Sequence, residues 1–291
     1  MKKEKAKVPA FDEILERLVE MSEEAFRVQF LDYLKCMANF WNYSFSNTIL
    51  IASQFPNATR VAGIKTWNKL GRRVKKGEKG IAILVPVIAR IEKNQEASEE
   101  ADDIDDADDE NREENLKTDT VKEVVVRFRI GYVFDISQTE GEPLPELKWW
   151  NDGDAPSALV ERITSAIRQD GIEIAEAEKI HYGKGNARGL SLGGKIVVLK
   201  DTTPLSKAST LIHEWAHEYR KACYGDSQAG EEVIAEAVAY VVLSHFGLSP
   251  DNSAIYIASW QRDKQLLKER LQMVKELSAV IIGKIEKASD I

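Results

Sequence analysis

Between Asn94 and Thr120 the chain carries thirteen Asp or Glu against two basic residues, a local net charge of −11. A block of like charge repels itself and has nothing to bury, so it cannot enter a core. The apolar runs on either side, Ile81 to Ile91 and Val121 to Phe134, therefore have to meet without it. Both runs alternate and are rich in β-branched residues, which predicts two strands of one hairpin carrying a solvated, mobile acidic insertion. An alternative reading makes the insertion a nucleic-acid mimic that competes for a basic surface. The block also distorts the charge of the whole. The formal net charge is −8, so the remainder sums to +3 (−8 plus 11), and residues 1–93 alone hold seventeen Lys or Arg against ten acids, +7.

At 291 residues with 43% hydrophobic side chains, the chain is long enough for two ordinary domains with real cores. No run of about twenty apolar residues exists to span a membrane, and the basic N-terminus lacks the apolar stretch of a secretory signal. Cys36 and Cys223 lie far apart and suggest no disulfide framework. The expected localisation is cytoplasmic. Apolar positions at helical spacing over residues 11–40 predict two helices broken near Met21 and Ser22, and a third runs from Ser46 to Ser53, ahead of Pro56. After a connection punctuated by Pro and Gly at 141–156, helices are predicted at about 157–170, 205–224, 231–246 and along the last thirty residues. A strand is predicted at Lys195 to Leu199. The fold class is α+β. Residues 1–147 form an N-terminal domain of helices and a small antiparallel sheet, 94–120 being its insertion. Residues 148–156 link it to a mainly helical domain with a small sheet at 157–291.

The sequence TLIHEWAHEYRKA sets His213 and His217 four residues apart on a helix. Side chains at i and i+4 share a face one turn apart, so both imidazoles can reach one metal at about 2.0–2.1 Å. Glu214 follows the first of them, placed to take a proton from water rather than to ligate. The flanking Leu211, Ile212, Trp215 and Ala216 would bury and dry the site. A lone helical His is more often a packed or surface residue; the second His and the Glu at this spacing argue otherwise. Catalytic zinc needs a third protein ligand, and GEEVIAEAVAYVV on the next helix offers Glu232 and Glu236, again on one face. Tyr182, His181, Tyr240 and Tyr256 are the candidates for stabilising an oxyanion, without a choice among them. His181 and His245 more often serve structure. The strand Lys195 to Leu199 is a candidate edge for receiving an extended peptide.

Glu-x-x-Ala-Glu resembles the third-ligand motif of the gluzincin metallopeptidases, and Ala235 and Ala239 fit the ligand helix of the ImmA/IrrE-like peptidases. This resemblance implies Zn2+ held by His213, His217 and Glu232, with Glu214 as the catalytic base and Glu236 supporting a ligand histidine from behind. Glu231 and Glu236 remain alternatives for the third ligand.

The N-terminal half is basic where it is not helical. Arg60, Lys65, Lys69, Arg72, Arg73, Lys75, Lys76 and Lys79 fall within twenty residues, with Glu78 the only acid among them. Trp41, Tyr43, Phe45 and Trp67 accompany them. Cations that track phosphates and rings on which bases stack are what single-strand binding uses, although such rings near helices also build cores. The motifs W-x-x-L-G-x-x-V-x-K-G-E-K-G (from Trp67) and D-x-x-Q-T-E-G (from Asp135), ahead of the HExxH and Glu-rich helices, resemble ArdC-type antirestriction proteins. The resemblance covers residues 8–147 for a single-stranded-DNA-binding domain and extends to a C-terminal metallopeptidase-like domain. It implies binding of single-stranded DNA, carriage on a mobile element and protection of entering DNA from restriction. On this reading Lys65, Trp67, Lys69, Arg72, Arg73, Lys75, Lys76 and Lys79 are the candidate DNA contacts. A protein or peptide substrate is implied, its identity open, and no membrane partner is. The alternative is a non-proteolytic single-strand-binding protein whose metal is structural or vestigial.

Overall fold

A computed structural model describes residues 11–92, 121–144, 155–182, 185–224, 231–248 and 263–288. In chain order these form α1 (Phe11–Glu20), α2 (Glu23–Asn39), α3 (Phe45–Gln54), β1 (Val61–Ala62), α4 (Ile64–Lys69), β2 (Arg72–Val74), β3 (Ile81–Glu92), β4 (Val121–Asp135) and β5 (Thr139–Gly141). There follow α5 (Ala155–Gln169), β6 (Glu173–Ala177), β7 (His181–Tyr182), β8 (Gly185–Asn186), β9 (Gly189–Ser191), β10 (Lys195–Leu199), α6 (Pro204–Tyr224), α7 (Glu231–His245) and α8 (Lys264–Lys287). The class is α+β, as expected. The acidic insertion and the interdomain connection fall outside the described residues.

Contacts divide the chain into two units, Ser46–Pro145 with the first eleven residues, and Asp12–Phe45 with Glu146–Ile291. In unit 1, β3 and β4 pair antiparallel from Ile81↔Val133 to Glu92↔Val121, with a bulge at Val87/Ile88. The two β-branched runs do form one hairpin. β1 adds to the far edge of β4, giving the order β1-β4-β3. The outer edge of β3 is closed without a strand. Asn47 of α3 donates to the Leu84 carbonyl (2.9 Å) and accepts from its N–H (2.8 Å), and Gln54 does the same for Ala82 (2.9 and 3.0 Å). Two carboxamides seven residues apart on a helix thus stand in for a partner strand.

The two N-terminal motifs are stitched to each other. Trp67 is 1% exposed, packs with Ala62 and Phe134 and donates its Nε1–H to the Phe134 carbonyl (2.8 Å). Arg72 is buried, with Nε on Thr139 Oγ1 (2.8 Å) and Nη1 on the Gly141 (3.1 Å) and Glu142 carbonyls. Gln138 donates to the Lys79 carbonyl (2.9 Å) and to Glu78 (3.0 Å). Asp135, 1% exposed, accepts from the N–H groups of Thr59 (2.7 Å), Arg60 (3.1 Å) and Ser137 (2.9 Å). Gly141 (φ 138°) lies where a Cβ would come within 2.4 Å of the Gly71 carbonyl. Trp67 and Arg72, expected as DNA contacts, are therefore structural: a ring in the core cannot stack on a base, and a guanidinium spent on carbonyls holds β2 to β5.

Unit 2 takes in the first two helices as well as the C-terminal elements. α1 and α2, assigned from sequence to the N-terminal domain, pack here, because the apolar stripe of α2 (Phe26, Phe30, Leu34, Met37) needs a partner and α7 supplies one. His245 at the end of α7 fastens the contact, its Nδ1 facing the Ala38 carbonyl (3.0 Å) and its Nε2 the Glu286 carboxylate (2.8 Å). Trp41 belongs here too, its ring against Gly283. The small sheet has the order β6-β10-β9, β10 parallel to β6 and antiparallel to β9. β10 is thus the central strand and cannot serve as the edge expected of it; β9 is the edge, beside α6.

Candidate metal centre

α6 carries two functional faces. Toward its apolar side, Trp215 is fully buried, as are Leu211, Ile212 and Ala216. Trp215 Nε1 donates to Asp170 Oδ2 (3.2 Å), and the Tyr219 hydroxyl and Lys284 Nζ also donate to Asp170. One carboxylate at the end of α5 thereby fixes the rotation of α6 about its axis, and with it the direction of the opposite face.

On that face His213 and His217 converge, their Nε2 atoms 3.1 Å apart. The first turn of α7 brings Glu232, whose Oε2 is 3.2 Å from His213 Nε2 and whose Oε1 is 3.6 Å from His217 Nε2. One donor atom of each lies within 4.8 Å of the others. Ligand atoms about 2.0–2.1 Å from a shared tetrahedral ion stand roughly 3.4 Å from each other, so the spacings fit a divalent cation, and two imidazoles with a carboxylate are a donor set such an ion takes. Glu236, one turn further along α7, approaches His213 Nδ1 at 3.6 Å. That is ion-pair range rather than a hydrogen bond, on the side of the ring away from the cluster. The side chain of Glu231 lies outside the described ones.

The electrostatics follow the burial. Burial lowers the proton affinity of His213, but Glu232, Glu236 and Glu214 outweigh it and raise the net value. Hydrogen bonds from His213 and His217 hold Glu232 well below the usual carboxylate range. Glu214 is only 8% exposed, and burial raises its pKa against the opposing pull of the two histidines. A carboxylate raised in this way is a better proton acceptor.

Sequence reasoning missed the frame around Glu214. Gly189 of β9 lies against it so closely that a Cβ would come within 2.7 Å of Glu214 Oε1 and 2.5 Å of Thr210 Cγ2. The backbone N–H of Ser191 also hydrogen-bonds Glu214. One turn on, Glu218 accepts from Ser191 Oγ (2.5 Å) and from the N–H groups of Gly193 (2.8 Å) and Gly194 (2.7 Å). Two carboxylates of α6 thus hold the β9–β10 hairpin along the helix. The double glycine, both at positive φ, is the one sequence signal that pointed to this turn. Of the oxyanion candidates, Tyr240 is buried, with Ser244 and Asp32 about its hydroxyl, His181 is exposed, the Tyr182 side chain is outside the described ones, and Tyr256 is outside the described residues.

Comparison with known proteins bears on both units. Residues 10–134 match the family described as the N-terminal domain of anti-restriction factor ArdC. The whole fold is similar to the metal-free crystal structure of the antirestriction protein ArdC from the R388 plasmid, at a TM-score of 0.53 and 17% identity, covering 97% of this chain and 100% of that one. The Mn(II)-bound structure of that protein aligns at a TM-score of 0.46 and 16% identity, over 90% and 99% of the two chains. An uncharacterized protein of Bacillus anthracis is 27% identical over 281 residues, 88% of this chain and 48% of the relative. The chain thus spans about half the length of that curated relative.

Proposed function

We propose that the protein is an antirestriction factor of a mobile element in which a zinc peptidase centre is coupled to single-stranded-DNA binding in the cytoplasm. The observation that carries the enzymatic part is the convergence of His213, His217 and Glu232 within 4.8 Å of one another beside the buried Glu214. The match of residues 10–134 supports the antirestriction part, and the absence of any helix long and apolar enough to cross a membrane among the described residues agrees with it.

His213, His217 and Glu232 would hold the ion, with Glu236 orienting the His213 ring. A divalent ion bound there polarises a carbonyl and acidifies water. The chain's own contribution is Glu214: its carboxylate takes the proton of the attacking water and returns it to the leaving amine. Burial strengthens it for this task, and the Ser191 N–H and the close wall at Gly189 fix where it points. β9, as the edge beside it, is the strand along which an extended peptide would lie.

Elemental analysis of the purified full chain tests the centre. One zinc per chain is expected, lost in His213→Ala and retained in Glu214→Gln; a metal-free wild type prepared without chelator defeats the reading. Cleavage of a mixed peptide library, read by mass spectrometry, should be abolished by Glu214→Gln. A second reading, a non-proteolytic DNA-protecting protein, is supported by the match of residues 10–134 to the N-terminal domain of an anti-restriction factor. It gains the ground if Glu214→Gln keeps its metal and still protects incoming DNA from restriction.

A further inference from the structure

The candidate DNA contacts nominated by sequence lack an aromatic platform once Trp67 is in the core. The structure offers another. Val126, Phe128, Ile130 and Tyr132 alternate along β4, so their side chains share one face of the hairpin, and they are 46–62% exposed. Pro86, opposite Phe128 in the ladder, is exposed on the same face, and Leu84 opposite Ile130 is half-buried. Phe134 continues the alternation beyond Tyr132 and lines a groove with Ile64, Asn68, Arg73, Val74 and Glu78. Soluble proteins rarely leave two rings and two branched side chains in a row in water unless something binds there.

We propose that this face of the β3–β4 hairpin is the surface on which the unpaired bases of single-stranded nucleic acid stack, an assignment that rests on the single-strand-binding reading above. Three observations select that occupant. First, cations border the rings. Gly80 leaves no room for a Cβ, which would sit 3.0 Å from Tyr132 Cβ and 3.1 Å from Phe134 Cζ. Its glycine lets both residues pack onto the backbone of the loop that presents the exposed Lys76 and Lys79. Glu78, the acid of that loop, is engaged by Gln138. Second, spacing suits an extended strand. Phe128 and Tyr132, four residues apart on β4 with Ile130 between them, stand about 13 Å from each other, so an extended strand can lay a base on each ring whatever its sequence. A duplex keeps its base faces stacked inside and offers nothing to them. Third, β3 is closed at Ala82 and Leu84 by Gln54 and Asn47, so a protein strand cannot add along that stretch, beside Tyr132 and Ile130, whereas bases reach the rings from the face.

The test is fluorescence anisotropy of a labelled oligothymidylate titrated with the full chain. The wild type should bind with a steep salt dependence. Phe128→Ala and Tyr132→Ala should each weaken binding about tenfold, and the pair about a hundredfold, with the salt slope unchanged, whereas Lys76→Gln with Lys79→Gln should lower the slope. Tyr132→Phe should bind as the wild type does. Since these side chains are exposed, unfolding midpoints of the variants should match the wild type, which separates lost stacking from lost folding. Wild-type protein that does not bind overturns the single-strand reading and this assignment together. Wild-type binding that the ring variants share overturns the assignment alone. So does sedimentation showing a dimer that Phe128→Ala with Tyr132→Ala converts to a monomer, since the face would then join two copies of the chain.

Discussion

Lys275 of α8 shows how burial governs single groups in unit 2. It is 4% exposed and donates to the Trp41 carbonyl. Burial, opposed by the neighbouring Cys36, pulls its pKa down to about 8 from 10.5. In the unfolded chain the amine keeps its proton up to its ordinary value, so between pH 8 and 10.5 the unfolded state binds more protons and stability rises with pH. Below pH 8 the folded chain carries the full burden of the buried charge, about 3 kcal/mol. Urea unfolding of the wild type should therefore show stability climbing by about that amount across the window, and Lys275→Met should remove the climb. Parallel curves for the two proteins would show that the charge is not buried. At this scale the site was only partly legible. His213, Glu214 and His217 announce themselves by spacing. Gly189, Ser191 and Asp170 do not, because each reaches α6 from another element, Asp170 from 45 residues away.

Elements of ten residues or more carried their period openly, and α1, α2, α3, α5, α6, α7 and α8 lie within a few residues of where that period put them. The hairpin β3–β4 was legible for the same reason. β1, β2, β5 and α4 were not, since two to six residues are too few to display a period, and they exist through the side-chain stitches between the two N-terminal motifs. β6 was missed because EIAEA alternates acids with small apolar residues and is extended only by its parallel pairing with β10; without it, β10 was misread as an edge. The motifs that carry the ArdC resemblance read as ligand-binding signals in one dimension, yet Trp67, Arg72, Asp135 and Gln138 spend their polar atoms on holding the fold. The carboxamide edge of α3 is equally hidden in sequence. Asn47→Leu should leave both backbone groups of Leu84 without partners and lower the stability of unit 1 by about 2 kcal/mol. Hydrogen exchange would check it: the Leu84 amide should lose protection, and unchanged exchange would mean the amide pair contributes nothing.

For the molecule as a whole, the class was legible and the partition was not. The composition break at 141–156 suggested that everything before it folds together, but the apolar face of α2 packs on α7. Phe30, Leu34 and Met37 are fully buried there, and each such side chain is worth about 1.5–3 kcal/mol of burial. A fragment of residues 157–291 should consequently be insoluble or loosely folded, and co-expression with residues 12–45 should restore a soluble complex. Size-exclusion chromatography distinguishes the outcomes, a well-behaved 157–291 monomer being the one that contradicts the partition.

Because residues 46–145 interrupt the sequence of the other unit rather than precede it, the two cannot be exchanged by a single genetic crossover. Recombination at one breakpoint would tear α2 from α7 and strand half a core on each product. Exchanging residues 46–145 between relatives requires two breakpoints, near residues 45 and 146, and a single crossover leaves the other unit incomplete.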